Sequence, residues 1–409
     1  MTGTPVLVVG AGPAGLTAAR ELRLRGVGPV LVVDRESVPG GVPRHCDHAG
    51  FGLQDLHRPM SGPAYARHLT RRATEVGADL RVSTTVTGVA DDGSVTLTGP
   101  GGVEVVRPAA VLLATGARER PRAARLVPGD RPAGVFTTGQ LQQWTVLEHL
   151  NVGRHAVVVG AEHVSYSAVL TLRSAGVRTV AMTTTLPHHQ TVGAFASVTR
   201  FGLRVPLRTS TRVVALHGRG RLEGVDVEDL ATGRVERLAA DTVVFTGDWV
   251  PDNVLARRSG LVVVGPGLGP RTDGGGRTSR PGVRAAGNLV HPGETAGLAA
   301  LGGRRAGRGL ADDLAVGAVD RTAVGLGLVV TPPLASVVPV VVDPADPPRR
   351  LLVRTSAFSR LTRVVARQGG RPVGAHGLRH SVPNRSLGVP GTLVAAADPE
   401  GGAVELSLE

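Results

Sequence analysis

Two short stretches carry side chains with the means to do chemistry. His45-Cys46-Asp47-His48 packs a thiol, a carboxylate and two imidazoles into four positions, and His291-Pro-Gly-Glu294 sets an imidazole and a carboxylate three apart. Such groups hold metals, attack as nucleophiles or move protons. A metal is not expected at the first stretch. Neighbouring residues of an extended segment point to opposite faces, and no second cluster at ligand spacing follows. Cys46 is the only cysteine, which excludes an intrachain disulfide, a Cys-x-x-Cys redox pair and a cysteine-held zinc or iron–sulfur centre. It is then either a buried, inert thiol or part of a site wall with His48. All 46 basic residues are Arg, so lysine Schiff bases and P-loop lysines are absent too.

A third pattern shows how such groups are positioned. The continuous apolar run Pro5 to Val9 reads as a buried parallel strand, Gly10-Ala-Gly-Pro-Ala-Gly15 follows it, and Leu16 to Arg25 has helical spacing. Gly10 permits a tight turn, Gly12 lets a pyrophosphate approach the backbone, and Gly15 lets the helix pack close to the strand. The helix N-terminus then offers free N–H groups to phosphate. Asp34 closes a second strand, Val30 to Val33, nineteen residues past Gly15, where a carboxylate accepts ribose hydroxyls. A dinucleotide site is expected here.

Further along, Gly62 to Val76 reads as a helix, and residues 80–110 as short strands with turns at 91–93 and 99–102. Val111-Leu-Leu-Ala-Thr-Gly116 ends this part. Ala156-Val-Val-Val-Gly160 then repeats the strand–glycine–helix signal, with a strand near Val177 to Met182, and finishes in Asp241-Thr-Val-Val-Phe-Thr-Gly247. Thr278 to Asn288 returns to the first pattern. The fold class expected is α/β: two Rossmann-like dinucleotide-binding domains, the second inserted in the first, plus a small β-rich C-terminal domain. The boundaries are 1–125, 126–250, 251–316 and 317–409. Ala323 to Val342 is uncharged and long enough to span a bilayer, but Pro332, Pro333 and Pro339 make it two short strands around a turn. With no signal-peptide pattern and no membrane span, a cytoplasmic protein is expected. Net charge is +13, yet the arginines are scattered and aromatic residues make up 2 % of the chain, so nucleic acid is not an expected partner.

Taken together, GAGPAG, the ATG at Ala114 to Gly116, the TG at 246–247 and the late PGVRAAGN resemble the FAD-dependent pyridine nucleotide–disulfide oxidoreductase superfamily, over roughly residues 5–312. Cys46-Asp-His-Ala-Gly-Phe-Gly52 and Thr115-Gly-Ala-Arg-Glu-Arg120 look like a branch without a redox disulfide. The resemblance implies FAD, with Gly10, Gly12, Pro13, Ala14 and Gly15 at its pyrophosphate. Asp34 and Arg35 would meet the adenosine ribose, Gly41 and Arg44 would line the cofactor, and Val86 would meet the adenine. Ala114, Thr115 and Gly116 would pack on the pyrophosphate side, and Gly287 and Asn288 near the ribityl chain, where the superfamily usually has Asp. Thr295 begins a helix whose positive end would face the flavin. Cys46, His48, His291 and Glu294 become candidate catalytic residues; the last two equally fit a helix cap and loop brace.

The second motif departs from its pattern. In Gly160-Ala-Glu-His-Val-Ser165, Glu162 stands where glycine allows close approach; Thr184 holds the ribose position, and Gly247 closes the crevice. NAD(P)H is expected to bind there poorly or not at all, since a carboxylate repels pyrophosphate. The leading expectation is an FAD-dependent dehydrogenase that takes hydride from a small amine or hydroxy compound and passes electrons to a partner redox subunit or another acceptor. An NAD(P)H-dependent flavoprotein reductase and a non-catalytic flavin-binding module of an assembly are the alternatives. Residues 317–409 read as short strands, Val338 to Val342, Leu351 to Arg354 and Val404 to Leu408, and their motifs name no family.

Overall fold

The computed structural model describes residues 6–264 and 269–409; Pro5, expected in the first strand, lies outside them. The chain opens with β1 (Val6–Val9), α1 (Pro13–Leu24), β2 (Val30–Val33), α2 (Gly62–Thr74), β3 (Asp79–Arg81) and β4 (Ala110–Leu113). A second unit follows: β5 (Val135–Thr137), β6 (His155–Val159), α3 (His163–Ser174), β7 (Arg178–Thr183), β8 (Leu207–Arg208) and β9 (Thr242–Phe245). The chain then returns to the first unit with β10 (Val283–Ala285) and α4 (Ala296–Ala315). The first sheet runs β10-β4-β1-β2-β3 and the second β5-β9-β6-β7-β8, each wholly parallel. The architecture is α/β, with the second dinucleotide-type sheet formed between two segments of the first.

The local reasons are visible in the residues. VLVV in β1 and again in β2 is buried on both faces, as a parallel strand between helix layers requires. One face of the first sheet packs on α1, α2 and α4; the other packs on Val86, Val95 and Leu97, from the strands Thr85–Val89 and Val95–Gly99. Two connections link the units as an antiparallel ribbon, Ala117–Glu119 against Trp249–Pro251.

α1 and α4 cross with backbones almost touching. A Cβ on Gly303 would fall 2.0 Å from the Ala14 carbonyl oxygen, and one on Gly307 2.7 Å from that of Ala18. Behind this crossing, Asp313 accepts from Arg277 at 2.8 and 2.5 Å and pairs with Arg284, whose side chain is 3 % exposed.

The C-terminal domain is a five-stranded sheet and a three-stranded sheet around a Val/Leu core. Ala323 to Val342 forms three strands rather than two: Leu326–Val330, Leu334–Val338 and Val341–Val342. The expected strand Val338 to Val342 is broken at Pro339, which has no N–H for a ladder; its ends join different sheets.

Asp313→Ala strands the Arg284 charge in the interior. It is expected to cost roughly 3–5 kcal/mol in urea unfolding, while exchange of the exposed Arg360 for Gln shifts the midpoint little.

Candidate active site

A cleft of about 1840 Å³ runs along the carboxyl ends of both parallel sheets. That exceeds the ~300–1,000 Å³ of an ordinary small-molecule pocket, so a dinucleotide leaves space for a second ligand. At the first sheet, Gly10 has φ +106°, and a Cβ there would lie 2.5 Å from the Ala114 oxygen. At Gly15 a Cβ would meet the Gly10 oxygen at 1.8 Å. Gly12 differs: nothing stands within 4 Å of its Cβ position, and it begins α1 without a side-chain cap. The opening therefore faces the uncapped positive end of a helix, a place for pyrophosphate. Asp34 Oδ2 accepts the Ala11 N–H at 2.6 Å and Oδ1 that of Glu36 at 2.9 Å, which fixes the carboxylate at the rim.

Pro13, Ala14, Arg35, Gly41, Arg44, Val86, Ala114, Thr115, Gly116 and Thr295 also line the cleft. The residues present fit an adenine dinucleotide. Gly15 and Gly287 stand behind the wall: a Cβ on Gly15 would strike the Gly10 turn, as the expected close packing requires, and one on Gly287 would strike that of Ala14 at 2.6 Å. Asn288 is on the wall, but its amide clasps the Glu294 backbone, donating to the carbonyl at 3.1 Å and accepting from the N–H at 2.9 Å.

At the second sheet the crevice holds a group of its own. Glu162 holds the N-cap position of α3, but its side chain turns into the crevice instead of bonding the helix N–H groups. Its Oε2 accepts the Ala161 N–H at 3.0 Å, and Oε1 sits 2.6 Å from the Thr246 hydroxyl. A Cβ on Gly247 would lie 2.4 Å from that carboxylate. Gly160 makes the turn at φ +142°, and Thr184 Oγ1 accepts the Leu186 N–H at 3.3 Å.

The candidate catalytic residues separate into two groups. Cys46 and His48 line the cleft. Burial, with the Glu119 charge behind it, pushes the Cys46 thiol up to about 12 despite its bond to Gln142. It is an inert wall group, not a nucleophile. His48 belongs to a chain of hydrogen bonds that crosses between the two units. Cys46 Sγ donates to Gln142 Oε1 (3.2 Å), Gln142 Nε2 donates to Ser167 Oγ (2.8 Å), and Ser167 Oγ lies 2.6 Å from His48 Nε2. His48 Nδ1 is 3.0 Å from the Ala49 carbonyl. A carbonyl only accepts, so in the neutral ring Nδ1 carries the hydrogen and Nε2 accepts from Ser167.

His291 is 4 % exposed and off the cleft wall. Its Nδ1 is 2.9 Å from Glu294 Oε1, without the direction of a hydrogen bond. Burial pushes its imidazolium down, against the pull of Glu294. Glu294 reaches the wall, where it pairs with Arg354 and the Ser386 hydroxyl. Burial alone would raise its carboxyl, but His291, Arg354 and Ser386 hold it down to about 2. The pair braces the C-terminal domain against the N-terminal end of α4; an always-ionised carboxylate has no proton to deliver near neutrality.

Glu119 was not singled out by the sequence. Its buried carboxylate accepts from Gly139 N (2.9 Å) and Gly247 N (3.2 Å), and burial, with Glu162 nearby, pushes it up to about 7. Among the described residues no group of three or more His, Cys, Asp or Glu is placed to hold a metal ion. Nor is any described helix long and apolar enough to cross a membrane.

Residues 4–303 match the family model described as pyridine nucleotide-disulphide oxidoreductase. The alpha subunit of the sarcosine oxidase of Corynebacterium sp. (strain P-1) is 31 % identical over 273 residues, 61 % of this chain and 26 % of that one. A subunit of the opine oxidase of Rhizobium meliloti (strain 1021) is 31 % identical over 194 residues, 47 % of this chain and 41 % of that one. The chain thus spans less than half the length of either relative. The crystal structure of T. acidophilum thioredoxin reductase shares the fold, with a TM-score of 0.66 at 21 % identity over 76 % of this chain and 100 % of that one.

Gly12→Val is expected to leave folding intact and weaken FAD retention by tenfold or more in equilibrium dialysis, because the new methyls enter only the ligand's space. Glu119 supplies a pH test. Its folded value of about 7 lies above the ordinary 4.5, so its contribution is full below pH 4.5 and is lost as pH rises through 7. Glu119→Gln should flatten the fall in urea midpoint across that range, worth roughly 3 kcal/mol.

Proposed function

The chain belongs to the pyridine nucleotide-disulphide oxidoreductase family and is an FAD-dependent oxidoreductase, and from that premise we propose that it oxidises a small amine and hands the electrons to a partner redox subunit. The observation that carries this reading is Glu162. Its carboxylate lies across the second crevice, bonded to the Ala161 N–H, where a nicotinamide dinucleotide would need to bring its pyrophosphate. A disulfide substrate is disfavoured for a separate reason: the only thiol is buried and stays protonated. Two relatives named as parts of a sarcosine oxidase and an opine oxidase support an amine, and their names support an assembly.

Bound FAD would supply the hydride acceptor and the onward route for the electrons. The chain's own residues do the rest. Gly12, the open end of α1 and Asp34 hold the pyrophosphate and ribose. Cys46 supplies wall. A substrate amine arrives protonated and must lose that proton before its C–H can leave as hydride. Ser167 Oγ and His48 Nε2 form the acceptor: the proton enters at the hydroxyl, the hydroxyl hydrogen passes to Nε2, and Nδ1–H remains on the Ala49 carbonyl, which suits an imidazolium.

Anaerobic mixing tests the reading. N-methylglycine is expected to bleach the visible flavin band, whereas NADH and NADPH leave it unchanged. Bleaching by NADH within seconds would replace this reading with a reductase. Glu162→Gly should strengthen NADH binding roughly tenfold to a hundredfold, the size of about 1–3 kcal/mol of relieved repulsion. His48→Gln should slow amine-driven bleaching by about 10²–10⁴ near neutral pH while FAD content is kept.

A further inference from the structure

One corner of the cleft is walled by all three parts of the chain. α3 presents His163 and Ser167, four residues apart and so on one face, about one helical turn (~6 Å) from each other. The first unit presents His48. The C-terminal domain presents a loop that carries Asn384, at φ +61°, and Arg385. That loop is fastened from both sides. Gln190 Nε2 donates to the Pro383 carbonyl at 3.3 Å, and Ser386 is bound by Glu294. Between these fastenings Arg385 faces the cleft with no acidic partner among the described residues.

Four other arginines on the wall are paired, Arg354 with Glu294, Arg44 with Glu36, Arg35 with Asp252 and Arg212 with Glu228, while Arg118 and Arg258 line it without an acidic partner among the described residues. Arg385 instead stands near an imidazole. Burial and then the Arg385 charge lower the basicity of His163, and His48 adds to the effect. His163 Nδ1 is engaged with Thr191 at 2.8 Å, so its Nε2 is left for a ligand. A guanidinium without a counter-ion, in a cleft and beside an imidazole, suits a carboxylate, because its planar fork matches both oxygens at once.

We infer that this corner binds an amino carboxylate, its carboxylate on Arg385 and its nitrogen at Ser167 and His48, so that the C-terminal domain selects amino-acid-type amines over simple ones. The inference rests on the amine reading above and adds the acid group to it. His163, which feels the Arg385 charge, and Ser167 stand one turn apart on α3, a spacing that suits the two ends of a small amino acid.

Calorimetric titration of the FAD-loaded protein tests it, with N-methylglycine, acetate and dimethylamine as probes. Arg385→Gln is expected to weaken N-methylglycine and acetate roughly ten- to a hundredfold, the effect of losing one charge-assisted contact, and to leave dimethylamine unchanged. Arg385→Lys should recover part of the loss. The Arg385 side chain makes no described hydrogen bond, and retained FAD shows each variant to be folded. The inference fails if the unaltered protein does not bind N-methylglycine, if Arg385→Gln binds it as well as the unaltered protein, or if an equal loss appears in Arg118→Gln or in Arg360→Gln. Arg385-dependent binding without bleaching removes the amine-oxidation reading and keeps this one. Bleaching by amines with no dependence on Arg385 does the reverse.

Discussion

Everything in this molecule depends on the contact between α1 and α4. These helices lie roughly 280 residues apart in the chain, yet Gly303 and Gly307 let one backbone rest on Ala14 and Ala18 of the other. Any side chain larger than hydrogen at either glycine would meet a carbonyl. This contact joins the segment that carries Gly10 to Gly15 to the segment that carries Asn288 and Glu294. It therefore fixes both ends of the dinucleotide cleft before the inserted unit contributes any wall. The Asp313 cluster with Arg277 and Arg284 sits on the same helix and returns it to β10, so the late part of the chain is anchored by packing on one side and by charge on the other.

The two glycine turns show how one scaffold is put to two uses. In the first, the N–H of Ala11 is satisfied by Asp34 from the end of the next strand, and the space above Gly12 stays open. In the second, the equivalent N–H of Ala161 is satisfied by Glu162, its neighbour, and the Thr184 hydroxyl at the next strand accepts from Leu186 in its own turn. The backbone need is the same in both: a buried donor must find an acceptor. What differs is where the acceptor stands, beside the phosphate position or in it.

Much of this was legible in the residues. The apolar runs of β1 and β2 and the glycine spacing located the first site because strand burial and close backbone approach demand those residue types. The interrupted symmetry of the second turn was legible for the same reason. Three things were not. The brace between Glu294 and Arg354 joins residues sixty apart, and among 46 arginines nothing marks Arg354 or Arg385 out. The raised carboxyl of Glu119 arises from burial between two units, which local sequence does not encode. The separate strand Val341–Val342 was not legible, because two apolar residues beyond Pro339 carry no periodicity to mark them as a strand of their own.

The hydrogen-bond chain from Cys46 to His48 has a practical consequence. Its first link spans the two units, and its donor is the only thiol in the chain. That sulfur is buried and holds its proton, so a maleimide or iodoacetamide attacks it slowly in the folded protein. A rise in the rate of alkylation is therefore a single-site signal that packing at the seam of the two units has loosened.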